Sequence, residues 1–242
     1  MTALPPPWRS TPTLLFAGMM LALATVGVSS LLVRGPSVTG LPDDPGVREA
    51  RVLLGARLPV ASGELRFRCA LIGDGREEPP GSDFRRELSI EEATRVAVAE
   101  TLLAQARIRH PKDPRLICAL AHLDLAAQRF ERAERRYRGA IRRAPRYGEA
   151  RLGSGLALAM TANTLGDESQ VRRLRLEAIA QFAAVGEEDP QYLPALYNRT
   201  LLLHQVGRRE EARRRARRYV ELDAGSVWSE AIARIVGVSV GG

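Results

Sequence analysis

The chain has 242 residues, a formal net charge of +8 and 45% apolar residues, enough to bury the core of one large or two small domains. Aromatic residues make up only 5% while Ala, Leu and Arg abound, which suits packed helices and argues against β-sandwich cores built on β-branched and aromatic side chains. The charge is almost wholly Arg, Lys112 being the only lysine, and the Arg residues stand beside Glu and Asp with no aromatic interleaving, so nucleic-acid binding is disfavoured.

After a short tail, residues 1–12, no charged residue occurs between Ser10 and Val33, and Thr13 to Val33 is long enough to cross a hydrocarbon layer of roughly 30 Å as a helix. Pro12 suits the first turn, Trp8 and Arg9 suit one headgroup layer, and Arg34 closes the other side. The run exceeds the h-region of a cleaved signal peptide, about 7–15 residues, and favours an uncleaved single-pass anchor over 13–33. Gly18, Ala22, Thr25 and Ser29 align as one small-residue ridge against which a second membrane helix could pack.

Residues 35–88 are rich in Gly, Pro and turn dipeptides and are expected to be a linker with little regular structure. Within it, Glu64 to Ile72 places Leu65, Phe67, Cys69 and Leu71 on alternate positions, the pattern of a half-buried strand that would pair with Arg57 to Ala61 or with another protein. Cys69 and Cys118 lack any C-x-x-C spacing, so neither a zinc nor a haem site is expected. A disulfide between them is one reading, and two small buried side chains the stronger.

From Ser89, a predicted cap followed by Glu91 and Glu92, the apolar spacing is helical. Ala99, Leu103, Ala106 and Pro111 recur 34 positions on as Ala133, Tyr137, Ala140 and Pro145, and again as Ala178, Phe182, Val185 and Pro190. Ala212, Ala216 and Tyr219 follow 34 positions further, with Ala224 in place of Pro. These residues resemble the second helix and closing Pro of the tetratricopeptide repeat, a helix pair of period 34. Ile117, Leu120 and Ala121 match first-helix positions of the unit beginning at Pro114, whereas Asp124 replaces the expected Tyr. Gly155 and Leu158 match in the next unit, whose helix-to-helix connection is expected to be about ten residues longer around Thr161 to Val171. Leu196, Leu203 and Gly207 match in the third, where Arg199 and Thr200 do not. The resemblance implies an all-α solenoid over 89–236: a half repeat, three full repeats and a closing helix near Val227 to Val236.

No catalytic constellation is present: there is no G-x-S-x-G, H-E-x-x-H or phosphate-binding Gly loop, and Ser154 between Gly153 and Gly155 lies inside a predicted helix. No cofactor, no metal site and no enzymatic activity are expected. The resemblance implies a concave groove for a protein partner, lined by Cys118, His122 and Leu125, then Leu152, Leu156 and Met160, then Tyr197, Leu201 and His204. That surface is mostly apolar and predicts a helix or apolar peptide as ligand. It lacks the basic set that clamps a terminal carboxylate in some members of the family, for which Asn198 alone is no substitute. The run Arg208 to Arg218 is expected to be a solvated helix face, with contact to anionic lipid headgroups as the alternative.

Anchor and repeats together resemble membrane-anchored bacterial proteins that attend cytochrome c maturation or the secretion translocon. The expected function is an interaction module that serves as accessory or assembly factor for a membrane or exported protein complex. The solenoid would lie on the periplasmic side of the inner membrane. A permanent structural subunit of a bioenergetic membrane complex is the alternative, and an enzyme sited in residues 35–88 a third.

Overall fold

The computed structural model describes residues 39–55, 64–72 and 87–239. The expected anchor 13–33, its ridge at Gly18, Ala22, Thr25 and Ser29, and the stretch Arg57 to Ala61 lie outside the described residues.

Five of the nine described helices begin where a short polar side chain takes up an orphan backbone N–H. Asp44 accepts from Gly46 and precedes Pro45 at the start of α1 (Pro45–Leu54). Ser89 and Glu92 form a reciprocal capping box on α2 (Ile90–Arg109). Asp113 accepts from Arg115 ahead of α3 (Pro114–Ala126), which pairs with α4 (Phe130–Arg143). The next pair is α5 (Gly148–Thr164) and α6 (Glu168–Ala183), the latter capped by Asp167. Then come α7 (Tyr192–Gln205) and α8 (Arg209–Leu222). Closing helix α9 (Val227–Val236) is capped by Ser226 and ended by Gly237, whose φ of 72° is left-handed.

Each odd-numbered helix from α1 to α7 packs antiparallel against its successor, each pair packs against the next, and α9 covers α7 and α8. The recurrent small residues sit at these contacts: Ala99, Ala106, Ala133, Ala140, Ala178, Ala212 and Ala216 are fully buried. Large residues of the same frame, Tyr137, Phe182 and Tyr219, are buried as well: Tyr137 lies against Gly153 and Phe182 against Gly155 of α5, and Tyr219 against Tyr197 of α7. Among the described residues the chain is all helical apart from loops, an all-α helical-hairpin solenoid with no strand.

Three expectations are corrected. The linker 35–88 contains α1, which packs on α2 and completes the half repeat, so four helix pairs precede α9. Its apolar stripe is Val47, Ala50 and Leu54, and Gly46 lets the backbones approach, since a Cβ there would lie 3.1 Å from the Leu102 carbonyl oxygen. The segment 64–72 is no strand: it is irregular and ends in a 3₁₀ turn at Ala70–Ile72, although Leu65, Cys69 and Leu71 are buried as the alternation predicts. Lastly, the extra residues around Thr161 to Val171 lengthen the helices, not the connection. Helix α5 has 17 residues and α6 has 16, against 13 or 14 in α3, α4, α7 and α8, and only residues 165–167 join them.

Asp124, placed where the repeat expects Tyr, is fully buried and is held by Arg129 Nε at 2.8 Å and Arg136 Nη1 at 2.7 Å. Arg129, Arg132 and Arg136 also grip Glu100, tying α2 to α4. Burial pushes the Asp124 carboxyl up, and the guanidinium groups around it oppose that shift.

Gly153 faces the buried Tyr137 ring, which a Cβ would approach to 2.3 Å, whereas a Cβ on Gly139 would meet Ile117 at an ordinary 3.6 Å. Gly153→Ala is expected to destabilise the chain by about 1–3 kcal/mol through overpacking. Gly139→Ala should stabilise by about 0.5–1 kcal/mol through helix propensity. Chemical unfolding followed by circular dichroism checks both, and equal effects of the two variants would refute this account of α5 packing.

Asp44 joins the start of α1 to the end of α2: it accepts from Arg109 Nε at 2.9 Å and Nη2 at 2.6 Å, and lies 3.2 Å from His110 Nε2. The Arg109 guanidinium holds this carboxyl well below the usual carboxylate range, aided by the Gly46 amide and opposed by burial. A depressed folded-state pKa stabilises the fold above the unfolded value near 4, and that contribution disappears as pH falls below it. Asp44→Asn is therefore expected to unfold earlier than the parent chain at neutral pH, with the gap narrowing on acidification below about pH 4. Thermal melts across that range measure it.

Candidate functional site

The first helices of the pairs, α3, α5 and α7, line the concave face of the repeats, and all but two residues of α3 are buried. They are covered on one side by their partner helices and on the other by the chain's own segment 64–72, which lies in the groove as a strap. A buried extended segment must satisfy its backbone N–H and C=O groups, and with no neighbouring strand it does so with side chains of the groove.

Asn198 on α7 supplies the main pairing. Its Oδ1 accepts from the Arg66 amide at 2.7 Å and its Nδ2 donates to the Arg66 carbonyl at 2.8 Å. The carboxamide thereby reproduces the donor and acceptor pair of a neighbouring strand. Asn198 is itself fully buried, so its two hydrogen bonds are shielded from water.

The Arg66 side chain runs toward α8 and α9. Its guanidinium donates to Asp223 Oδ2 at 2.9 Å and to the Tyr219 hydroxyl, and lies 5.6 Å from the centre of the Trp228 ring. Tyr219 in turn donates to Asp223 at 2.6 Å, as does Ser226 at 2.8 Å. Burial, followed by the hydrogen bond to Asp223, pushes the Tyr219 hydroxyl well up, so it stays a neutral donor. Tyr197 stacks edge-on against both Tyr219 and Trp228 at the foot of this arrangement.

At the other end the Ala70 amide donates to Glu149 Oε1 at 2.6 Å. Glu149 Oε1 lies 2.8 Å from His122 Nε2, and His122 Nδ1 lies 2.6 Å from the Tyr137 hydroxyl. Tyr147 donates to Glu149 Oε2 at 3.2 Å. Phe67 meets the His122 ring edge-on at 5.6 Å. Cys118 Sγ lies 3.6 Å from His122 Nε2, and burial pushes its thiol well up, so it stays protonated. Neither cysteine is in a disulfide. Beside this cluster opens a cleft of about 380 Å³, lined among others by Arg51, Arg68, Cys69, Glu149, Asp189 and Gln191.

The residues expected to line the groove fall as follows. Cys118 and His122 lie under the strap near Phe67 and Cys69, and Leu201 joins Leu65 at the rim of a second hollow that continues past Glu64 toward α6. Tyr197 faces the closing helix. Leu125, Leu152, Leu156 and Met160 are buried within the repeats, and His204 is half-buried. Sequence reasoning set Asn198 aside and missed Glu149, Arg66 and Asp223. The one signal for Asn198 was a carboxamide in the middle of a Leu-rich predicted helix, and the signal for the strap was its alternating pattern.

Stacked antiparallel helix pairs with a concave face that holds an extended segment define a tetratricopeptide-like solenoid. The crystal structure of a thermophilic tetratricopeptide-repeat protein from Thermus thermophilus is similar, with a TM-score of 0.51 at 21% sequence identity over 59% of this chain and 73% of that one. No protein-family model and no curated protein sequence matches the chain.

Removing the carboxamide leaves the Arg66 backbone groups without partners in a half-buried setting, a loss of about 1–3 kcal/mol. Asn198→Ala is expected to free the strap and raise native-state tryptic cleavage after Arg66 and Arg68 by roughly tenfold or more. Limited digestion read by mass spectrometry measures this, and an unchanged cleavage rate would show that Asn198 does not retain the strap.

Proposed function

We propose that this chain is a non-catalytic protein-interaction module, held at a membrane by residues 13–33, whose groove grips extended polypeptide through its main chain. It acts as accessory or assembly factor for a membrane or exported protein complex. The observation that carries the reading is the Asn198 carboxamide paired to both backbone groups of Arg66. Main-chain pairing supplies affinity with little regard to sequence, while Leu65, Cys69 and Leu71 fill positions that select side chains. Of the two ligands expected from its apolar lining, a helix or an apolar peptide, an extended peptide suits this groove better.

The strap is then the resident occupant, and a partner segment must displace it. Because it belongs to the same chain as the groove, its effective concentration is high, and a displacing segment must bind more tightly than the strap does. Anchor and groove together give two attachment points, so each can be weak.

The test replaces residues 64–72 by a Gly/Ser stretch and adds a labelled peptide of the native strap sequence in trans, followed by fluorescence anisotropy. The expected result is saturable binding in the micromolar range, about 8 kcal/mol, weakened at least tenfold by Asn198→Ala. Absence of binding to the opened chain, shown to be folded by circular dichroism, would overturn the groove reading. For the anchor, the full chain is expected in the carbonate-resistant membrane fraction and a chain lacking residues 1–34 in the supernatant; recovery of both in the supernatant would overturn the membrane assignment.

A further inference from the structure

Three chemically distinct donors meet under the strap, each from a different element: Cys69 from the strap, His122 from the middle of α3 and Glu149 from the first turn of α5. One ligand atom of each lies within 4.8 Å of the other two. The residues are 1%, 1% and 6% exposed. Thiolate, imidazole and carboxylate together form a donor set of the kind that binds zinc, with bonds of about 2.3 Å to sulfur and 2.0–2.2 Å to nitrogen and oxygen. Donor atoms around a tetrahedral zinc ion lie roughly 3.3–3.6 Å apart. Small side-chain rotations would therefore suffice, with the ion replacing the hydrogen bond between His122 and Glu149.

The outer partners that orient such ligands are already in place. The Tyr137 hydroxyl stands 2.6 Å from His122 Nδ1 and can accept its proton-bearing side, which leaves Nε2 for an ion. Tyr147 and the Ala70 amide fix the two oxygens of Glu149. Cys69 and Glu149 also line the 380 Å³ cleft, which provides a route in from solvent and room for a water in a fourth coordination position.

We propose that Cys69, His122 and Glu149 form a zinc site that staples segment 64–72 into the groove. Binding displaces the thiol proton of Cys69 to solvent, so uptake releases a proton. Two ligands belong to the groove and one to the strap, so the ion couples metal occupancy to strap retention. The site requires the strap in the groove and does not require that any other protein bind there, so the peptide experiment above and the metal experiment can fail independently.

The full chain is purified in mild detergent without chelator and analysed for zinc, then stripped with chelator under reduction and titrated with Co²⁺ followed by Zn²⁺. The expected results are about one zinc per chain, a near-ultraviolet thiolate-to-cobalt band with visible ligand-field bands, and displacement of Co²⁺ by Zn²⁺. Cys69→Ala lies outside every helix and should leave the circular dichroism unchanged while abolishing the thiolate band and weakening uptake at least 100-fold. Glu149→Gln should weaken uptake and keep that band. Zinc should lower tryptic cleavage after Arg66 and Arg68 tenfold in the parent chain and not in Cys69→Ala. No zinc as purified and no uptake by the reduced chain would overturn the proposal. So would cobalt bands unaffected by Cys69→Ala, or a Cys69–Cys118 disulfide, seen as the loss of two hydrogens, in protein taken from its native membranes.

Discussion

A main-chain segment buried away from water must have its amides and carbonyls paired, and the concave face of this solenoid is built around meeting that requirement without a β-sheet. Asn198 does for Arg66 what a neighbouring strand would do, and Glu149 does the same for the Ala70 amide. Everything else about the groove follows from those two anchor points. Cys69 between the anchors and Leu65 and Leu71 just outside them turn inward beside backbone that is held in place, and Arg66 reaches Asp223 because its own backbone is held against α7.

The repeats provide the rigid frame on which these anchors stand. Small residues at the helix contacts bring backbones close enough that Gly153 and Gly155 have no room for a methyl group against Tyr137 and Phe182. That closeness positions α3, α5 and α7 side by side, with their polar residues at fixed separation along the groove. Helix α1 plays a comparable part at the amino-terminal end, where the Asp44 carboxylate fastens it to α2 through Arg109. In chain order the strap thus lies between two helices, α1 and α2, that are both bound to the solenoid.

The polar network beneath the strap differs in character from the ion pairs on the outer faces. Glu210 with Arg213 and Glu221 with Arg218 are solvated pairs on α8, worth little individually. His122, Glu149, Tyr137 and Tyr147 form a buried network in which each member depends on the next. Such a network specifies one arrangement of the strap more strongly than apolar packing alone, because a shifted strap would part the Ala70 amide from Glu149 and the Arg66 backbone from Asn198.

The sequence by itself determined the helical-pair architecture. A period of 34 residues in Ala, large apolar residue and Pro is a local pattern, and each element of it acts within one helix or its immediate neighbour. It likewise determined the cap at Ser89 and the closing helix Val227–Val236, since capping involves residues only three apart. Only the tertiary structure decided that Pro45–Leu54 is a repeat helix, because its apolar stripe is short and turn residues surround it; its partner α2 lies more than thirty residues further on. The same holds for residues 64–72. Their alternation told that one face would be buried, but the partner was a carboxamide 132 positions away and a carboxylate 79 positions away, at separations no local pattern encodes. Cys69, His122 and Glu149 carry no ligand spacing along the chain, and they converge only because stacked repeats bring one helix face of each pair to a common groove.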